Sequence, residues 1–241
     1  MLEMRNVSKT YKDVQALKYI NLTLEKGVHA LLGPNGAGKS TLMNAICGQM
    51  KVEGDILWDN RDICVIKNEY YQILGYAPQQ QGLYDDFSGL RFLTYMALLK
   101  GIKKSDINKE VQRVAKMVNM TPYLSRKCKT YSGGMKQRLL VAQALIGNPK
   151  IILLDEPTAG LDPCERISLR KVFYELGQDH ILLIATHVVS DVESIANQVI
   201  FLKQGEIVNQ GTVDELLEMY HKDKLEDVYV DIQGEVYDFE V

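Results

Sequence analysis

Over positions 1–30 apolar and polar residues alternate in short stretches separated by turn signals, which predicts two or three antiparallel strands. A short apolar run at 28–32 then leads into a glycine-rich loop. From 40 to 47 the period becomes helical, and Gly48 reads as the cap that ends the helix. Strand-like runs follow at 54–58 and 73–77, the second stopped by Pro78. Helical periodicity dominates 90–145, with breaks at Thr121-Pro122 and at 131–134. Two fully apolar, strand-length runs at 151–154 and 181–185 flank a helical stretch at 164–176. Such runs suit a parallel sheet covered on both faces. A hairpin around Gly205 joins 199–202 to 206–208, and 213–220 forms an amphipathic helix. The acidic tail, 225–241, reads as a strand or an extension.

These elements predict an α/β chain of one domain. Residues 1–86 and 147–220 form the α/β core with a small antiparallel β subdomain, 87–146 an inserted helical subdomain, and 221–241 a C-terminal extension. With 241 residues, the length fits one large domain or a core carrying a lobe. Hydrophobic residues make up 46% and charged residues 24%, ordinary for a soluble protein. The net charge of -3 argues against a general nucleic-acid binder. The N-terminal segment is polar, and the longest apolar runs are too short to span a bilayer. Work at a membrane therefore requires docking to another chain. Cys47, Cys64, Cys128 and Cys164 form no CxxC pair, and His29, His180, His187 and His221 are scattered, so reduced thiols and no structural metal are expected. The basic runs at 100–104 and 126–129 read as solvated helical faces.

Chemistry concentrates at GPNGAGKST, residues 33–41, which fits G-x-x-x-x-G-K-[ST] with a strand before it and a helix after. Gly33, Pro34, Asn35, Gly36, Ala37 and Gly38 form the nucleotide loop, whose glycines let the backbone curl until its N–H groups face a phosphate. The helix that follows adds the positive end of its dipole. Lys39 brings a cation to the outer phosphates, Ser40 a hydroxyl to Mg²⁺, and Thr41 a further phosphate contact. IILLDEP, residues 151–157, ends a strand in two carboxylates, at the strand end where α/β sheets bind ligands. Asp155 is placed to hold Mg²⁺ through water, and Glu156 to polarise an attacking water. At 131–139, YSGGMKQRL places Ser132, Gly133 and Gly134 at a helix start, where backbone N–H groups and a hydroxyl make a second anion site.

This SGG segment, spaced between the phosphate loop and the Asp-Glu strand, resembles the signature of ABC-type ATPases, and residues 2–220 follow that family's layout. The resemblance implies a P-loop NTPase (RecA-like) core, with ATP and Mg²⁺ as ligands. It implies that Tyr11, 22 positions before Gly33, stacks on adenine, and that Gln79 senses Mg²⁺ and the attacking water. It places Asp162 in a loop crossing a dimer interface and His187 at the γ-phosphate. It implies that Ser132, Gly133, Gly134 and Met135 face the nucleotide of a second subunit, a copy or a paralogue, with two ATP molecules between head-to-tail partners. The resemblance also implies an integral membrane permease as partner, which would put the chain in the cytoplasm, peripheral on the inner face of the membrane. Tyr131 and Met135 depart from the commonest signature, which has leucine and glutamine there, but neither removes a backbone donor. Met135 and the LEDVYVDI tail at 225–232 are similar to the exporter branch that moves drugs, antibiotics and peptides. The rival is a soluble ABC-type ATPase without a membrane partner, such as a cluster-assembly ATPase.

Overall fold

The computed structural model describes residues 1–79 and 82–234. The alternating N-terminal segment forms β1 (Leu2–Tyr11) and β2 (Val14–Leu24), paired antiparallel with Leu2 opposite Leu24. β3 (Gly27–Leu32) leaves that sheet for a second one and is buried at every position. The helix α1 (Lys39–Ile46) follows, and Gly48, at a φ of 66°, ends it in the left-handed region. β4 (Glu53–Trp58) and the short β5 (Arg61–Asp62) complete the antiparallel sheet in the order β2-β1-β4-β5.

The second sheet has the order β10-β9-β3-β8-β7-β6. Its members are β6 (Leu74–Ala77), β7 (Ile151–Asp155), β8 (Ile181–Thr186), β9 (Gln198–Lys203) and β10 (Glu206–Gly211). All its pairs are parallel except the closing β9–β10 hairpin. Successive side chains of its central strands point to opposite faces and enter different cores. Leu32, Ile152, Leu154, Leu182, Ile184 and Phe201 join the helical side. Leu31, Ile151, Leu153, Leu183, Ala185 and Leu202 pack with α1 and the antiparallel sheet. Burial on both faces explains why these strands read as unbroken apolar runs.

A seven-residue helix not expected from the sequence, α2 (Lys67–Ile73), runs into β6 and takes Ile73 from the strand. The helical lobe comprises α3 (Gly89–Leu99), α4 (Ile107–Met117) and α5 (Gly133–Ala144), with a 3₁₀ turn at Thr121–Tyr123, where the first break was read, and another at Cys128–Thr130, just before the second, within which α5 already begins at Gly133. Lys100 departs from the expected solvated face. Its ammonium donates to the carbonyls of Tyr71 and Leu74, both at 2.6 Å, and ties the end of α3 to the α2–β6 junction. Lys127 and Lys129 stay on the surface, 3.6 and 3.2 Å from Asp86.

The core closes with α6 (Pro163–Gly177), α7 (Val213–Tyr220) and α8 (Leu225–Gln233). Over 225–233 the last corrects the reading of the tail as a strand or extension; residues 235–241 lie outside the described residues. Leu225 and Val228, three apart and therefore on one helical face, are fully buried. Lys203 donates to the carbonyls of Ile232 and Gln233 at the end of α8, each at 2.9 Å, where a cation favours a helix terminus. Among the described residues no helix is long and apolar enough to cross a membrane.

Candidate nucleotide site

The C-terminal ends of β3, β6, β7 and β8 lie along one edge of the parallel sheet. Ala77 pairs with Leu154, Asp155 with Ala185, and Leu32 with Thr186. The residues that follow these ends (Gly33, Pro78, Glu156 and His187) are therefore neighbours, although they are far apart in sequence. This is the edge at which open α/β sheets bind ligands.

The loop 33–38 curls back on itself. Gly38, at a φ of 108°, precedes α1 with no side-chain cap, and a Cβ there would stand 2.6 Å from the Ala16 carbonyl. The first-turn N–H groups of α1 are thus left for a ligand. Lys39 is buried and donates to the carbonyls of Gly33 at 2.6 Å and Pro34 at 3.2 Å. Burial lowers the pKa of its ammonium, opposed by the nearby charges of Glu156 and Asp155. Ser40 donates to Asp155 Oδ2 at 2.9 Å. Burial pushes the Asp155 carboxyl upward and Glu156 adds to this, while the Ser40 hydrogen bond and Lys39 oppose it.

Glu156 is 4% exposed and held from four directions. Its φ of 49° turns the chain sharply off β7. Its N–H donates to the Ala185 carbonyl at 2.8 Å, and its own carbonyl accepts from Gln137 Nε2 and from the Ala159 N–H, each at 3.1 Å. Oε2 accepts from the Thr186 hydroxyl at 3.0 Å, and Oε1 lies 2.7 Å from His187 Nδ1.

A cavity of about 400 Å³ opens here, lined by Pro34, Asn35, Gly36, Gly38 and Lys39–Thr41 together with Gln79, Asp155 and Glu156. Sequence reasoning named all of these. It did not name Ala16, a β2 residue that forms one wall. Gly33 and Ala37 are buried and do not line the cavity. A second cavity shares Ser40, Gln79 and Asp155 and adds Asn44, Tyr76 and Gln143. Gln80 and Gln81, which follow Gln79, lie outside the described residues.

Other expected residues lie outside the cavity. Tyr11 is exposed, and its hydroxyl meets Met50 Sδ at 3.4 Å. Asp162 caps α6, accepting from the Glu165 N–H at 2.9 Å. Ser132 caps α5, accepting from the Met135 N–H at 3.2 Å, with Ser132 and Gly133 exposed and Gly134 and Met135 buried. Gln137 lies inside the quoted 131–139 segment but was not singled out, because a glutamine in a helix reads as surface.

The profile of the ABC transporter family matches residues 17–159, more than half of the chain. The chain is 34% identical to an uncharacterized ABC transporter ATP-binding protein, YxlF, of Bacillus subtilis, over 90% of this chain and 72% of the relative. It is 30% identical to the ABC transporter ATP-binding protein NatA of the same organism, over 95% and 97%. It is 33% identical to the molybdate/tungstate import ATP-binding protein WtpC of Methanocaldococcus jannaschii, over 88% and 70%. It spans 27% of the length of ABC transporter A family member 8 of Dictyostelium discoideum, to which it is 33% identical over 90% of this chain. A bacterial ATP-binding cassette, solved as a dimer in a post-hydrolysis state with ADP and Pi, superposes with a TM-score of 0.80 at 27% identity, covering 88% of this chain and 99% of that one. The phosphate loop, the Asp-Glu strand and these likenesses together show that the chain belongs to the ABC transporter family, as one of its ATP-binding ATPase domains.

Proposed function

We propose that this chain is the motor of an exporter: two ATPase subunits close head-to-tail around two ATP molecules and drive a separate membrane permease. The observation that carries this reading is the meeting of Lys39, Ser40, Gln79, Asp155 and Glu156 in one cavity beneath the open end of α1.

The phosphates of ATP occupy the loop 33–41, where the free N–H groups of α1 and the Lys39 ammonium converge. Phosphate oxygens replace the Gly33 and Pro34 carbonyls as the acceptors of that ammonium. Ser40 and Asp155, 2.9 Å apart, with Gln79 beside them, offer a hydroxyl, a carboxylate and an amide oxygen. That donor set suits Mg²⁺, a hard cation that takes its remaining ligands from phosphate and water. When bound, Mg²⁺ neutralises charge on the β- and γ-phosphates. Glu156 orients the attacking water and takes its proton. His187, bonded to Glu156 in the present state, turns to the γ-phosphate when nucleotide is bound.

The signature supports the dimer. The exposed start of α5 lies outside the chain's own cavity, so its donors are available to an anion held by another subunit. Two nucleotides bridging two subunits make a switch that hydrolysis opens. Met135 and the LEDVYVDI segment support the export direction by their resemblance to exporter ATPases. The work is done at the inner face of the membrane, by docking.

The test is to tag the chain in its native genetic context and identify what co-purifies from detergent-solubilised membranes. A multi-span membrane protein is expected, and ATP-driven accumulation of cargo inside inverted vesicles, whose ATPase face is outward, fixes the direction as export. An ATPase that purifies alone from the soluble fraction contradicts the transporter role.

A further inference from the structure

Helix α5 carries the signature at its N-terminus, and two of its side chains grip the segment that begins at Glu156. Gln137 is 7% exposed, and its Nε2 stands 3.1 Å from the Glu156 carbonyl oxygen. Facing a carbonyl, only the NH₂ end of the amide can make this contact. One residue on, Arg138 Nη2 meets Glu165 Oε1 at 2.6 Å. Gly134, one helical turn before Gln137, lets the same segment approach closely. A Cβ there would stand 2.7 Å from Glu165 Oε2 and 2.8 Å from Leu161 Cδ2. The chain from 156 to 165 is thus fixed to α5 at its start by Gln137 and at its end by Arg138 and Gly134. Any shift of α5 is passed to the Glu156 peptide through a buried hydrogen bond.

We propose that Gln137 is a positioning residue that couples the two anion sites: it relays engagement of the α5 N-terminus by the partner's nucleotide to the Glu156 carboxylate of its own chain. This rests on the reading of Glu156 as the base in a head-to-tail dimer. The physical argument has two parts. Glu156 leaves β7 at a φ of 49°, a conformation that a non-glycine residue keeps only when its surroundings impose it. Its N–H is fixed to β8 through Ala185, so the carbonyl side of the residue is where α5 can act. Loss of the Gln137 donor leaves that carbonyl to the Ala159 N–H alone, a bond within the same loop, so the tie to α5 is lost and the carboxylate drifts from the attacking water.

Gln137→Met removes the donor at nearly constant volume, and Gln137→Glu keeps the size while replacing the NH₂ with an acceptor. For each, ATP turnover, KM for ATP, melting temperature and the lifetime of the ATP-bound dimer are measured beside Glu156→Gln. Expected for Gln137→Met is a kcat lower by roughly ten- to a hundredfold, the scale of a misplacement of about 1 Å. KM and melting temperature should stay near wild type, and the ATP dimer should live longer in proportion. Should Gln137→Met fail to fold, Gln137→Glu carries the same expectation. Wild-type kcat in the folded variant overturns the inference, and so does a fall in kcat that comes with weakened ATP binding and a shorter-lived dimer. Arrest by Glu156→Gln beside normal turnover by Gln137→Met rejects the relay alone. Normal turnover by Glu156→Gln rejects the base on which the relay rests.

Discussion

His187 Nδ1 stands 2.7 Å from Glu156 Oε1, so the residue just past β8 is hydrogen-bonded to the residue just past its neighbour β7. The pairing of Asp155 with Ala185 sets this register and brings together two side chains separated by 31 positions. The Thr186 hydroxyl holds the second carboxylate oxygen, so the acid is oriented before any ligand arrives.

His187→Ala should leave Glu156 held by Thr186 and the nucleotide loop untouched. We expect kcat to fall by about 10²- to 10³-fold, the usual cost of losing one donor to transition-state charge, with nucleotide affinity close to wild type. Equilibrium binding of a fluorescent ATP analogue beside single-turnover hydrolysis separates the two. A loss of binding equal to the loss of rate contradicts the role given to His187.

Lys100 makes stability depend on pH. Burial lowers its ammonium to about 8, against about 10.4 in an unfolded chain. Between those values the unfolded state holds a proton that the folded state has released, so this group makes stability rise with pH across the window. Below about 8 both states are charged, and the fold carries the full cost of burying the ammonium. Cys47 acts in the opposite sense above its ordinary value, because burial pushes its thiol up to about 12 and the folded state keeps the proton longer. The difference between wild type and Lys100→Met isolates the lysine. Denaturant unfolding from about pH 8 to about pH 10 should show the wild type gaining stability relative to the variant. A constant difference contradicts this.

Leu225 is fully buried at the start of α8, and its N–H donates to Glu193 Oε1 at 2.9 Å. Leu225→Ala should therefore destabilise the whole domain by about 2–5 kcal/mol, read as a lower denaturation midpoint at unchanged slope. A neutral result would mean that the tail helix is an appendage and not part of the core.

The helical character of that tail was hidden in the sequence. Val228, Val230 and Ile232 alternate as a strand does and are β-branched. Yet Leu225 and Val228 share a helical face that β9 and the segment after His187 cover. Only the tertiary surface decides between the two periods. The parallel strands were legible because burial on both faces leaves unbroken apolar runs, and the phosphate loop because its glycines, lysine and serine recur at fixed spacing. α2 was not legible, since KNEYYQI buries only Tyr70 and shows no amphipathic period. At the cavity, sequence spacing singled out residues whose identity the expected chemistry dictates, such as Lys39 and Asp155, and the structure brings them together. It missed Ala16 and Gln137, which act through position: one bounds the cavity with a small side chain, and the other reaches a backbone carbonyl. Lys100 was misread for a related reason, because a cation in a basic run gives no sign that two carbonyls await it.

The central claim is that Glu156 activates the water that cleaves ATP between two closed subunits. Glu156→Gln keeps the shape of the side chain and removes the base. Turnover and oligomeric state are to be measured together with ATP and Mg²⁺ present. The account predicts hydrolysis slowed by about 10²- to 10⁴-fold, ATP still bound, and a stable dimer on size exclusion that wild type forms only transiently. Normal turnover by the variant, or a variant that binds ATP yet stays monomeric, would contradict it.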